Sequence, residues 1–236
     1  MNSPKRLARI AGALYLLVAI FGGFAEGFVE PKMYVAGDAT ATTGNVVANA
    51  ELVRMGVIAD LLDQTVFVFL ALTLYVLLRH VHESMARTMV VLVALAAGIG
   101  SLNTVFEFEG LRVATGGAFP TGFGASGSNA MVLLLLDTQH YGLLIAQIFF
   151  GLWLVPLGYL AYRSAGMFPK WLGVLLAVGG GCYLVDLLVK FLAPDVGGIA
   201  SLVVVVSAVA ELLMVGYLLV IGVRTPSPDP SVVAET

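Results

Sequence analysis

The chain has little of what a water-soluble protein depends on. Only 11% of its 236 residues are Asp, Glu, Lys or Arg, less than half of the roughly 25% usual in soluble domains. There is no basic surplus, with 12 Lys and Arg against 15 Asp and Glu, which excludes a cationic nucleic-acid-binding surface. The one cysteine, Cys182, excludes an internal disulfide framework. No Gly-rich loop follows a strand pattern, and Ser101, Ser201 and Ser207 stand in no nucleophile elbow, so nucleotide binding and serine hydrolysis have no support. What is present is apolar: 59% of the chain.

Crossing a bilayer core of ~30 Å takes ~20 mostly apolar residues at ~1.5 Å each. Six stretches qualify, at 7–25, 54–78, 89–111, 131–162, 171–192 and 199–223. Unbroken Leu, Val and Ala runs exclude the alternating strands of a membrane barrel. The expected fold is therefore all-α, a six-span transmembrane bundle over residues 1–224 with a disordered tail at 225–236. The fourth stretch is overlong, and Pro156 within it should kink the helix and free the Leu152 carbonyl. Lys5, Arg6 and Arg9 before the first stretch also allow a cleaved signal peptide, against which its length argues.

Basic residues collect at cytoplasmic span ends. Lys5, Arg6, Arg9, Arg79, Arg87, Arg163, Lys170 and Arg224 fall on one side, while Lys32, Arg54, Arg112 and Lys190 fall on the other. That asymmetry places both termini in the cytoplasm and suits a bacterial plasma membrane. The first external connection, 26–53, carries Glu30-Pro31 and Gly37-Asp38 and reads as loop or a short surface helix; the second, 114–129, is rich in Gly, Ser and Thr and reads as flexible. His80-x-His82 reads as part of the basic flank, since residues two apart diverge on a helix.

Ionisable groups in a span are costly and normally face a partner or a cavity. Asp60, Asp63 and Gln64 share a helical face with Gly56 and Phe67, and Asn103, Thr104 and Glu107 share one with Gly100. Glu109 must turn away. Asp137, His140 and Gln147 form a third polar stripe, Tyr183, Asp186 and Lys190 a fourth, and Ser207 and Glu211 lie on the last span. Asp186 and Lys190 have the favourable i,i+4 order for an intrahelical pair. The topology puts most of these groups in the outer half of the membrane, which points to an outward-facing polar cavity lined by Asp60, Asp63, Gln64, Asn103, Glu107, Asp137, His140, Gln147, Tyr183, Asp186, Lys190 and Glu211. The other reading is that each acid meets a local partner. Asp137-x-x-His140 occurs once, half of the pattern for a carboxylate-bridged metal pair, so the sequence assigns neither metal nor cofactor.

The motifs Phe150-Gly151-Leu152, Pro156-Leu157-Gly158-Tyr159-Leu160, Tyr162-Arg163-Ser164, Phe168-Pro169, Leu172-Gly173-Val174-Leu175 and Tyr183-Leu184-Val185-Asp186 are joined by the opening Ala8-Arg9-Ile10-Ala11-Gly12 with Tyr15. Together they resemble the bacterial multispan membrane family catalogued as domain of unknown function four-three-eight-six, over nearly the whole chain to Val223. The resemblance implies a multispan inner-membrane protein and carries no reaction, substrate or catalytic residue. The reading it leaves is binding or transport of a cation, a proton or a small polar ligand from within the bilayer. The alternatives are an intramembrane enzyme working by acid-base or metal-assisted chemistry on a lipid-soluble substrate, and a structural or partner-binding subunit.

Overall fold

The computed structural model describes residues 3–116, 124–193 and 197–224, with side chains described outside 197–202. Helix α1, Pro4–Phe24, runs through a π-helical turn, Ala25–Val29, into the short α2, Glu30–Met33. Pro31 has no N–H for the Gly27 carbonyl, so the α-helical ladder cannot run unbroken there, and the Glu30 N–H reaches back five residues to Ala25 instead. The first span therefore extends to Met33 rather than ending near 25. Of the two readings of 26–53, loop or short helix, the chain takes the helix in α3, Ala39–Ala48; the Asp38 side chain caps it, accepting from the Ala41 N–H at 2.9 Å.

Helix α4, Ala50–Leu78, and α5, Glu83–Ala114, follow as two long rods. The expected flexible stretch 114–129 is helical again from Gly124, where α6, Gly124–Leu152, begins; 117–123 lie outside the described residues, as does the tail 225–236. A break at Trp153 separates α6 from α7, Leu154–Arg163. It falls where Pro156 withholds its donor from Leu152, and only a stretched bond, Leu157 N–H to the Trp153 carbonyl at 3.3 Å, spans it. The overlong fourth stretch is thus two helices. Ala165 and Gly166 then take positive φ values, 50° and 91°, reversing the chain into α8, Lys170–Leu192. The last helix is α9, Gly197–Val220.

Among the described residues, six helical stretches are long and apolar enough to cross a membrane: Pro4–Met33, Ala50–Leu78, Glu83–Ala114, Gly124–Arg163, Lys170–Leu192 and Val203–Val220. Their polarity is turned inside out relative to a soluble bundle. Ile58, Phe69, Val91, Leu102, Leu134, Val174, Leu188 and Leu212 are exposed, while Asp60, Asp63, Gln64, Asn103, Glu107 and Asp186 are buried. Lipid is the surrounding in which that arrangement is favourable.

The chain forms two compact units. The first comprises Met1–Ala13, Leu70–Val91 and Gly151–Thr236, the second Leu14–Phe69 and Leu92–Phe150. In the first unit, the end of α6, α7, α8 and α9 pack through glycine: a methyl group on Gly180 of α8 would lie 2.5 Å from the carbonyl oxygen of Gly151 in α6, and one on Gly158 of α7 would lie 2.5 Å from that of Gly173 in α8. Ser207 on α9 adds a cross-helix bond to the Gly179 carbonyl at 2.6 Å. In the second unit, Val29, Met33 and Val46 pack with Val53, Leu111, Val113, Val132 and Leu136, so the α2 and α3 region is held by apolar contacts at the ends of α4, α5 and α6.

Candidate functional site

In the second unit, close packing brings the polar stripes of different helices together. A methyl group on Gly56 of α4 would sit 3.3 Å from Glu107 Oε1 of α5 and 2.9 Å from Val29 Cγ1. The glycine leaves the room in which the Glu107 carboxyl lies, with 2% of the residue exposed. One turn along α4, Asp60, 7% exposed, faces that carboxyl.

Asp63 lies one turn further on. Its Oδ2 accepts from Gln64 Nε2 at 3.2 Å, and a methyl group on Gly22 of α1 would come within 3.6 Å of its Oδ1. The Gln64 amide in turn covers Gly100 of α5, where a methyl group would lie 2.7 Å from Gln64 Cδ. Asn103 joins α5 to α6: its Nδ2 donates to the Gln139 carbonyl at 2.5 Å, and its side-chain oxygen occupies the space beside Gly142.

Three residues outside the sequence-derived set complete this region. Glu26, in the π-helical turn, lies within electrostatic reach of Asp60, Glu30, Glu107 and Asp63. The charge of Glu30 acts on both Asp60 and Glu107. Its Oε1 also meets His140 Nδ1 of α6 at 2.7 Å. Tyr34, just past α2, donates to Asp137 Oδ1 at 2.5 Å and stacks on the His140 ring with centroids 5.2 Å apart. Burial, the hydrogen bond to Asp137 and that carboxylate's charge push the Tyr34 phenol well above its ordinary value. The sequence held one signal for this: Gly22, Glu26 and Glu30 recur every four residues. Glu30-Pro31 read as loop punctuation concealed it.

The three Lys and Arg residues of this unit are engaged elsewhere. Arg54 pairs with Glu51 at 3.1 Å, Arg112 with Glu109 at 2.5 Å, and the Lys32 ammonium lies 3.5 Å from the Phe28 ring centroid. Glu109, expected to turn away from the Glu107 stripe, does so into that local pair. Gln147 lies on α6 in the same unit.

The remaining candidates belong to the first unit. Asp186, fully buried, takes Lys190 at 2.9 Å in the i,i+4 pair read from the sequence. The Tyr183 hydroxyl donates to Glu211 Oε1 on α9, also at 2.9 Å. Among the described residues, no three or more His, Cys, Asp or Glu side chains are grouped so as to hold a metal ion. His82 accepts from the Met85 N–H at the start of α5 and meets the Tyr159 ring edge-on, a helix-end arrangement.

No solved structure matches the chain. Over 55 residues it is 44% identical to a protein of Archaeoglobus fulgidus that bears the name "Uncharacterized protein". The matched stretch is 23% of this chain and 33% of the relative, so the chain spans about one third of that relative's length. The model of the family described as Domain of unknown function (DUF4386) matches residues 10–222, and this six-span membrane protein belongs to that family.

Proposed function

We propose that the protein binds a proton in the second unit and couples it to the binding or passage of a small cation or polar solute across a bacterial plasma membrane, with both termini in the cytoplasm. The observation that carries this reading is the meeting of two buried carboxyls, Asp60 and Glu107, from two different transmembrane helices. Holding two acids face to face in a low-dielectric interior is costly unless they share a proton or take up a cation. Glu26 and Glu30 add negative charge, and the unit's Lys and Arg side chains are committed to Glu51, Glu109 and the Phe28 ring. Protons are the cations that such a pair accommodates without a coordination shell.

The reading is tested in proteoliposomes carrying a trapped pH indicator and offered a panel of small cations and polar solutes. The wild-type protein is expected to move protons with at least one solute, and D60N and E107Q to bring that flux down to the level of empty vesicles. Flux equal in wild type and both variants, or absent from wild type across the panel, overturns it.

A further inference from the structure

Asp60 and Glu107 are 7% and 2% exposed, so a proton that reaches them must be handed on by another group. Glu30 is in hydrogen-bonding contact with a more open imidazole and directly follows Val29, which packs beside Glu107. Side-chain exposure falls from 36% at His140 to 18% at Glu30, and then to the buried pair. Glu30 Oε1 is 2.7 Å from His140 Nδ1, a hydrogen-bonding distance from α2 to α6. On its other side, Val29, the preceding residue, packs at Gly56 against the same spot as Glu107 Oε1, and the Glu30 charge acts on both members of the pair.

We infer that Glu30 is the proton relay between His140 and the Asp60–Glu107 pair. The inference deepens the proton-binding reading above and rests on it. A proton from water adds to His140 Nε2 and the Nδ1 proton passes to Glu30 Oε1. Glu30 then gives its proton to the carboxylate oxygen of the pair that lacks one. Glu30 ends as a carboxylate and His140 as the neutral Nε2–H ring, and exchange of the ring protons with water restores Nδ1–H. One proton has moved from water to the pair, and no electron has moved. Tyr34, Asp137 and Tyr141 face the imidazole and Glu26 and Asp63 face the acids; of these, the carboxyl groups of Asp137, Glu26 and Asp63 are the ones whose charge bears on the transfer.

The test uses the full chain in lipid nanodiscs and follows the carbonyl stretch of protonated carboxyls by time-resolved infrared spectroscopy after a pH jump. The band of the pair is identified by its loss in D60N and E107Q. E30Q and H140A are expected to slow its response by about a hundredfold, the scale of a positioned proton-transfer group, with the final amplitude unchanged. E30D, which keeps a carboxyl, should recover part of the rate. T42V loosens the same segment by removing the bonds of Thr42 to the Val35 backbone, without interrupting the route, and should respond as fast as wild type. A wild-type rate in E30Q or H140A overturns the relay, as does a T42V rate as slow as that of E30Q. Failure of the underlying reading is distinct: no carboxyl band is lost in D60N or E107Q, whatever the rates.

Discussion

Tyr34 is the residue at which geometry and acidity are tied together. Its phenol donates to a carboxylate, Asp137, from a segment whose other polar anchor is Glu30 on His140. A hydrogen bond to a charged group contributes about 1.5–3 kcal/mol, so Y34F is expected to unfold at lower temperature than wild type by a corresponding amount at neutral pH. The raised acidity constant of the phenol sets the pH dependence. The protonated form is favoured in the folded protein, so the contribution is complete below the ordinary tyrosine value of about 10 and is lost as pH climbs through the raised one. Thermal unfolding of both proteins in detergent, repeated from neutral to strongly alkaline pH, should show the gap closing at the alkaline end. A gap that is constant with pH would mean that the phenol contributes only its ring packing against His140.

At the scale of elements, glycine decides where helices meet. The Gly179-Gly180-Gly181 run of α8 offers a comparison within one turn. A methyl group on Gly180 would lie 2.5 Å from the Gly151 carbonyl, whereas one on Gly181 meets nothing within 4 Å. G180A should therefore destabilise the protein by about 1–3 kcal/mol through backbone displacement. G181A should be neutral, or stabilising by up to about 1 kcal/mol through helix propensity. Midpoints of thermal unfolding in a single detergent check this; equal effects of the two substitutions would contradict the close approach of α8 to the end of α6. The π-helical turn of Ala25–Val29 acts at the same scale. A fifth residue in the turn rotates all that follows relative to a regular helix, so the directions of Glu26 and Glu30 could not be projected from a 3.6-residue period. The stripes of α4 and α5, which are regular helices, could be read that way. Asp60, Asp63 and Gln64 are buried together as their spacing implies, and so are Asn103, Thr104 and Glu107.

Across the whole molecule, the six spans and the distribution of charge set a membrane topology. With Cys182 as the sole cysteine, a C182S background allows positions to be probed singly. T40C in α3 and H80C between α4 and α5 both lie at exposed sites. A membrane-impermeant maleimide is expected to label T40C in intact cells and H80C only after permeabilisation, because the proposed orientation, drawn from the distribution of Lys and Arg, puts Arg79 and Arg87 on the cytoplasmic side. The reverse pattern would invert the protein and place the Asp60–Glu107 pair near the cytoplasm.

The amino-acid sequence by itself determined that this is an all-α membrane protein of six spans, because a sufficient apolar length leaves a helix few alternatives in lipid. It also determined local pairs such as Asp186 with Lys190, since residues four apart on one helix are neighbours however that helix packs. Only the tertiary structure decided which acid faces which. The meeting of Asp60 with Glu107, and of Glu30 with His140, depends on the close approach at Gly56 and on the altered phase after the π-helical turn. Those are relations between separate helices, and no periodicity along a single one contains them.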